Sequence, residues 1–329
     1  MTRLRKPPLF LILVAISISV AGCSTHAGPW NTSNPSNHQT PSNAIGPNSW
    51  TDALDPHAIP LGDGKVTTTE PDVGYVYSCR VPSAFPSGPE HIGPWVDTKN
   101  GTWDPATKVH VTGSVAWPNA EYSVTASGDE RIITTNDLPS GGYTTGVFPI
   151  RKSDPAYEYG TNPNPITPTP VTYRLPRHPK PATQPSCLRQ GPIGVLTNGV
   201  FLADALDASG RDAAAHEVQD RYGGHPNGHH FYHYHDVSAA VLNNATGKST
   251  LIGYAMDGYG IYVERNENGS LPTNGDLGVC HGRVSTVMWN GTLQRIYHYD
   301  VTREYPYTVG CYHGTPVAHK SFGGTHDAP

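Results

Sequence analysis

The sequence predicts an all-β, sandwich-like and loop-rich fold with one short helix at most. Three observations carry this. Gly and Pro make up 35 and 32 of 329 residues, while charged residues are only 15%; Gly and Pro both depress helix and cut strands short. From about residue 66 onward the chain is a succession of short β-branched, partly alternating segments bounded by turn residues. Only residues 203–221 carry a helix-like composition, rich in Ala with acidic and basic residues between.

The N-terminus sets the expected compartment. Arg3, Arg5 and Lys6 precede an apolar run from Leu9 to Val20, followed by Val20-Ala21-Gly22-Cys23. A basic patch, a short apolar run and small residues make a secretory leader over 1–22, too short for an ordinary spanning helix. The end of this leader resembles a bacterial lipobox, with Val20 where Leu is usual. That resemblance implies cleavage before Cys23 and acyl chains on its sulfur. Each buried methylene then contributes about 0.8 kcal/mol, so two or three chains anchor firmly. The expected localisation is therefore outside the cytoplasm, lipid-anchored at the bacterial cell envelope, with the membrane as partner through Cys23.

Residues 23–65 are rich in Asn, Ser, Pro and Thr and poor in apolar side chains. Such a segment cannot bury enough surface to offset the entropy of ordering, so it reads as a tether, with Trp30 and Trp50 as its only anchors. A single β domain is expected over 66–320, with 321–329 as a tail. VTTTE, VGYVYSCRV, KVHVTGSVAW, YSVTAS and RIITT read as its first strands. Residues 161–185 hold eight prolines and should run extended over the surface, outside any central strand. GPIGVLTNGVFLAD reads as two strands about a turn at Asn198-Gly199. YHYHDVSAAVL, TLIGYAMDGYGIYVE and QRIYHYDVT read as the closing strands.

The net charge is −5 and becomes more negative once the basic leader is removed. No basic patch remains that would suit nucleic acid. The TGKS at 246–249 lacks the glycine of a phosphate loop and reads as a turn, so no nucleotide is expected. His216-Glu217 begins like a zinc-protease helix, but Asp220 stands where the second His belongs; the segment reads as a surface helix face. Past Cys23, four cysteines remain, an even number that favours two disulfides in an exported chain. Cys280 and Cys311 flank the same C-terminal segment and are the favoured pair, leaving Cys79 and Cys187.

Four of the chain's 17 histidines fall within residues 229–236, HHFYHYHD. If 231–236 is a strand, His233 and His235 share one face, about 6.6 Å apart, and Tyr232 and Tyr234 share the other. Two imidazoles so spaced can reach one metal. His298, in the second Tyr-His-Tyr at 297–299, is expected to join them from a neighbouring strand. Asp257, before Gly258, is the leading carboxylate, with His230 in reserve alongside His229 and His281; His225 and His313 are less constrained. Copper or zinc suits such a nitrogen-rich site in an exported protein.

Several blocks in order give the C-terminal half a relative. GPIGVLTNGV (191–200), FYHYHD (231–236), IGYAMDGYGIY (252–262), VCHGR (279–283) and IYHYDVTREYPYTVGCYHGTP (296–316) resemble the YHYH domain family of bacterial exported proteins. Gly260 stands where many members have Pro. LPSGGYTTGVFP (138–149) is similar to a weaker block, with Ser140-Gly141-Gly142 in place of a Pro-Asn or Pro-Asp pair followed by His. The resemblance spans about 105–316, with the YHYH region at 191–316, and implies a fold family and no activity. The expected function is a lipid-anchored protein with a histidine-based transition-metal site, for metal binding or metal-dependent chemistry. The alternatives are a surface recognition module for glycan or protein, and a structural envelope protein without metal.

Overall fold

In the computed structural model the described residues are 54–81 and 91–318. The leader, Cys23, Trp30, Trp50 and the tail lie outside them. The all-β, loop-rich expectation holds: helical structure is confined to α1 (Ala213–His216), α2 (Ala239–Asn244) and short 3₁₀ turns. Among the described residues no helix is long and apolar enough to cross a membrane.

One eight-stranded mixed sheet dominates. Numbering its strands alone, they are β1 (Gly194–Leu196), β2 (Phe201–Leu202), β3 (Gly224–Pro226), β4 (Tyr232–Tyr234), β5 (Ser249–Ala255), β6 (Gly260–Glu264), β7 (Gly282–Trp289) and β8 (Thr292–Asp300). Their order across the sheet is β3-β4-β2-β1-β5-β6-β8-β7. β1 and β2 form the expected hairpin about Asn198-Gly199. β5 and β6 are joined through Asp257-Gly258, where Gly258 has φ +89° and an added Cβ would lie 2.5 Å from the Pro176 carbonyl oxygen. Only glycine fits both conditions. The core is strongly aromatic, with Tyr232, Tyr234, Tyr262, Tyr299, Tyr305, Tyr312 and Trp289 fully buried.

Two expectations are corrected. The domain begins before residue 66, because Ile59 is buried and Ile59–Pro60 pairs with Thr102–Trp103; an apolar Ile-Pro-Leu run ends the polar segment. The strand expected through 232–242 stops at Tyr234. Ser238 then caps α2, its side chain accepting from the Val241 amide at 3.4 Å; local capping beats the β-branched pattern. The proline-rich segment stays out of central strands as expected: Val171–Pro176 lies at the edge of a three-stranded sheet and Pro181–Ser186 in a two-stranded one, where missing N–H groups are tolerated.

Cys79–Cys187 and Cys280–Cys311 are joined, the pairing expected from the sequence. A buried ionic network ties β6, β7 and β8 together. The β7–β8 register sets Arg283 directly opposite His298. Arg283 Nε lies 3.0 Å from Glu264 Oε2 and 2.6 Å from Asp300 Oδ2. His298 Nε2 lies 3.0 Å from Glu264 Oε2. Burial alone would raise the Glu264 pKa, but hydrogen bonds from His298 and Ser285 and the Arg283 charge outweigh it and hold it at about 2 against an ordinary 4.5.

Arg283→Met should cost about 3–5 kcal/mol of stability in urea denaturation, because it strands two buried carboxylates without their cation. A carboxyl whose pKa falls on folding stabilises the fold above its unfolded value and loses that contribution as pH drops through its folded one. Melting temperature should therefore decline between pH 4.5 and about 2, and Glu264→Gln should flatten the decline in that window.

Candidate metal centre

The site grows out of one antiparallel register. β3 pairs with β4 so that Gly224 faces Tyr234, His225 faces His233 and Pro226 faces Tyr232. Residues directly opposite on such a pair share a face, with Cβ atoms about 4.5–5.5 Å apart. His235 lies two residues beyond His233 and returns to that same face. Three imidazoles are thus gathered by pairing and period. The connection between the strands turns at Asn227, whose N–H donates to the Phe231 carbonyl at 3.0 Å and whose Oδ1 accepts from the His229 and Phe231 amides. On β4's other side β2 runs parallel, Phe201 opposite His233, and their rings stack at 5.9 Å.

The tyrosines take the opposite face. Tyr232 donates its hydroxyl to Asp220 Oδ2 at 2.8 Å, and the Tyr234 hydroxyl accepts from Asn198 Nδ2 at 3.1 Å. Asp220 also accepts from the amides of Gly146 and Tyr222. Gly224 has no room for a side chain, since a Cβ there would lie 2.2 Å from the Tyr232 ring.

The ligating atoms of His225, His233 and His235 all lie within 4.8 Å of one another, and all three residues are buried. His233 Nδ1 faces the Phe231 carbonyl at 3.3 Å and His235 Nδ1 the Asp204 carbonyl at 2.5 Å. With Nδ1–H donating to those oxygens, each ring turns Nε2 toward the cluster. The two Nε2 atoms are 3.1 Å apart. Glu217, just past α1, brings Oε2 to 2.9 Å from His225 Nε2 and 3.1 Å from His235 Nε2. Neither Glu217 Oε2 nor His225 Nε2 has a hydrogen-bond alignment despite these distances. Glu217 Oε2 and His225 Nε2 thus crowd together without aligned hydrogen bonds, while the His233 and His235 Nε2 atoms face each other. Metal bonds of 2.0–2.1 Å place neighbouring donors about 2.9 Å apart at right angles and about 3.3 Å apart at tetrahedral angles.

The charges are tightly coupled. Burial holds the His233 pKa well below the ordinary imidazole value, and the charges of His225 and His235 press it further down. Burial acts the same way on His235, but the Glu217 carboxylate overrides it and lifts the pKa to about 9. Glu217 itself is driven well below its ordinary value, burial being outweighed by His225 and His235. The Glu217 and His235 charges thus stabilise each other within the cluster.

A cleft of about 490 Å³ opens over the cluster, with His225, His233, His235 and Glu217 among its lining residues. A molecule in the cleft can reach the imidazoles directly.

The structure brings His233 and His235 together as their spacing predicts, and separates the rest of the expected set. β8 lies five strand steps from β4, or about 24 Å at 4.7–4.9 Å per step. His298 sits there in the Glu264–Arg283–Asp300 network, where the Arg283 guanidinium already supplies the positive charge. Asp257 is buried and accepts from the Tyr299 hydroxyl at 2.5 Å and the Gly314 amide at 2.8 Å; it fastens the turn and the C-terminal strand. His230 is a turn residue with φ +71° whose carbonyl accepts from Thr167, apart from the three-imidazole group. His229 is exposed, and His281 is buried against the Thr302 hydroxyl. His313 stacks on Tyr297 at 3.8 Å.

Two members were underweighted or missed. His225 was legible as the partner of His233 across a hairpin: Pro-Asn-Gly at 226–228 is a turn signal placed between them. Glu217 had no such signal. The segment read as a surface helix face is in fact buried from Asp212 to His216, because Lys108 and Trp95 reach its carbonyls from behind, and Glu217 is thereby delivered to the cleft.

No curated protein and no solved structure matches the chain. Residues 172–274 match the model of the family described as YHYH protein, a stretch that contains His225, His233, His235 and Glu217, and the chain is accordingly a protein with a YHYH domain.

Proposed function

We propose that this chain is an exported metalloprotein that holds one transition-metal ion through the Nε2 atoms of His225, His233 and His235, with Glu217 beside it, at the floor of an accessible cleft. The convergence of those three nitrogens beneath the cleft is the observation that carries the reading. Imidazole-dominated sites suit copper or zinc. Three protein nitrogens leave coordination positions for water or a cleft-bound molecule, the arrangement of catalytic rather than closed structural sites. Glu217 Oε2 is placed either to complete the ligand set or to take a proton from a bound water. The two disulfides fit an oxidising compartment, and anchorage to a membrane through acylated Cys23 belongs to the same proposal. A purely structural role accounts for the Nδ1 contacts and for the His233–His235 contact, but leaves His225 Nε2 and Glu217 Oε2 without aligned partners.

Protein purified without a histidine tag should carry about one equivalent of copper or zinc by elemental analysis. His225→Ala, His233→Ala and His235→Ala should each release it, whereas folded His298→Ala should retain it. Full occupancy in a His233→Ala/His235→Ala double variant would place the ion elsewhere. Glu217→Gln should weaken binding about 10–100-fold. Ligating imidazoles must be neutral, so protons compete with the metal; equilibrium dialysis should show affinity falling progressively as pH drops through the His235 value of about 9.

A further inference from the structure

Above the imidazoles the cleft walls are largely loops that carry neutral polar side chains beside Arg80, Asp204 and Asp207. Asn164 and Asn227 both line the cleft, and each amide is held by one end. Asn164 Nδ2 donates to Asn162 Oδ1 at 2.9 Å, and its own Oδ1 has no partner among the described residues. Asn227 is held the other way: Oδ1 accepts from the amides of His229 at 2.9 Å and Phe231 at 3.2 Å, and Nδ2 has no such partner. The walls thus include one amide with its acceptor uncommitted and one with its donor uncommitted. A hydroxyl group uses both, since it donates once and accepts twice. Thr161 and Gln190 add neutral polar groups to the lining.

On the walls acidic side chains outnumber basic ones, Asp204, Asp207 and Glu217 against Arg80. The one lining side chain with a fixed positive charge, Arg80, is exposed, and its charge acts on Asp204. A peptide adding as a strand is also disfavoured. The carbonyls of Gly224 and Pro226, on the sheet's outermost strand β3, already accept from the Asp220 amide and from Asn162 Nδ2, both at distances below 3 Å, so the edge has little left to pair with.

We infer that the cleft binds a neutral saccharide, its hydroxyls held between Asn164 and Asn227 above the three imidazoles. This rests on the metal-centre reading only for what lies at the floor.

The test is an array of neutral and anionic glycans probed with the full protein, metal content being measured on the same preparation. Binding confined to neutral glycans is expected. Asn227→Asp keeps the carbonyl oxygen that turns the loop and replaces only the free NH₂ with oxygen; it should lose roughly tenfold in affinity with metal content unchanged. Asn164→Ala should act in the same direction. No glycan bound by metal-loaded protein, a preference for anionic glycans, or undiminished binding by Asn227→Asp would each overturn the inference. Neutral-glycan binding that depends on Asn227 in protein carrying no metal would support it and overturn the metal reading instead.

Discussion

The pairing of His225 with His233 across β3 and β4 is the constraint from which the site follows. Side chains alternate along a strand, so a slip of one residue would send both imidazoles to the opposite face. Several contacts hold the register. Tyr232 and Tyr234 fill the inner face, tied by their hydroxyls to Asp220 and Asn198, and Gly224 leaves the space that the Tyr232 ring occupies. Burying the tyrosines and presenting the histidines to the cleft are two sides of one alternation.

The protein contains two buried histidine–carboxylate clusters with similar ingredients and opposite characters. Around His298, two carboxylates are met by the Arg283 guanidinium, although both Asp300 oxygens lack an aligned hydrogen bond. Around His233, three imidazoles and one carboxylate crowd together directly below a cleft. The guanidinium makes the first a brace between three strands. The second lies at the floor of an accessible cleft instead.

Parts of the chain outside the YHYH match build the site as well. Lys108 Nζ donates to the Ala214 carbonyl at 2.5 Å and Gln219 Oε1 at 2.8 Å, and Trp95 Nε1 to the Ala215 carbonyl at 2.8 Å. These contacts hold from behind the segment that delivers Glu217. The Cys79–Cys187 bridge joins the segments that bring Ser78, Arg80 and Gln190 to the cleft. The domain thus works as a unit larger than its signature motif.

By itself the sequence determined whatever depends on local order. Glycine and proline content dictated short strands and many turns; the spacing of His233 and His235 put them on one face because strands repeat every two residues; the order of its motif blocks pointed to the YHYH family; and the two likeliest cysteine partners lay where one segment closes on itself. The tertiary structure alone decided which strands became neighbours. That choice carried His298 five strands away from the motif it echoes, spent Asp257 on a turn, and brought in Glu217 from a segment whose buried carbonyl contacts leave no periodic trace. Alternation along a strand is written in consecutive residues, whereas the order of strands in a sheet is set by the packing of side chains far apart in the chain.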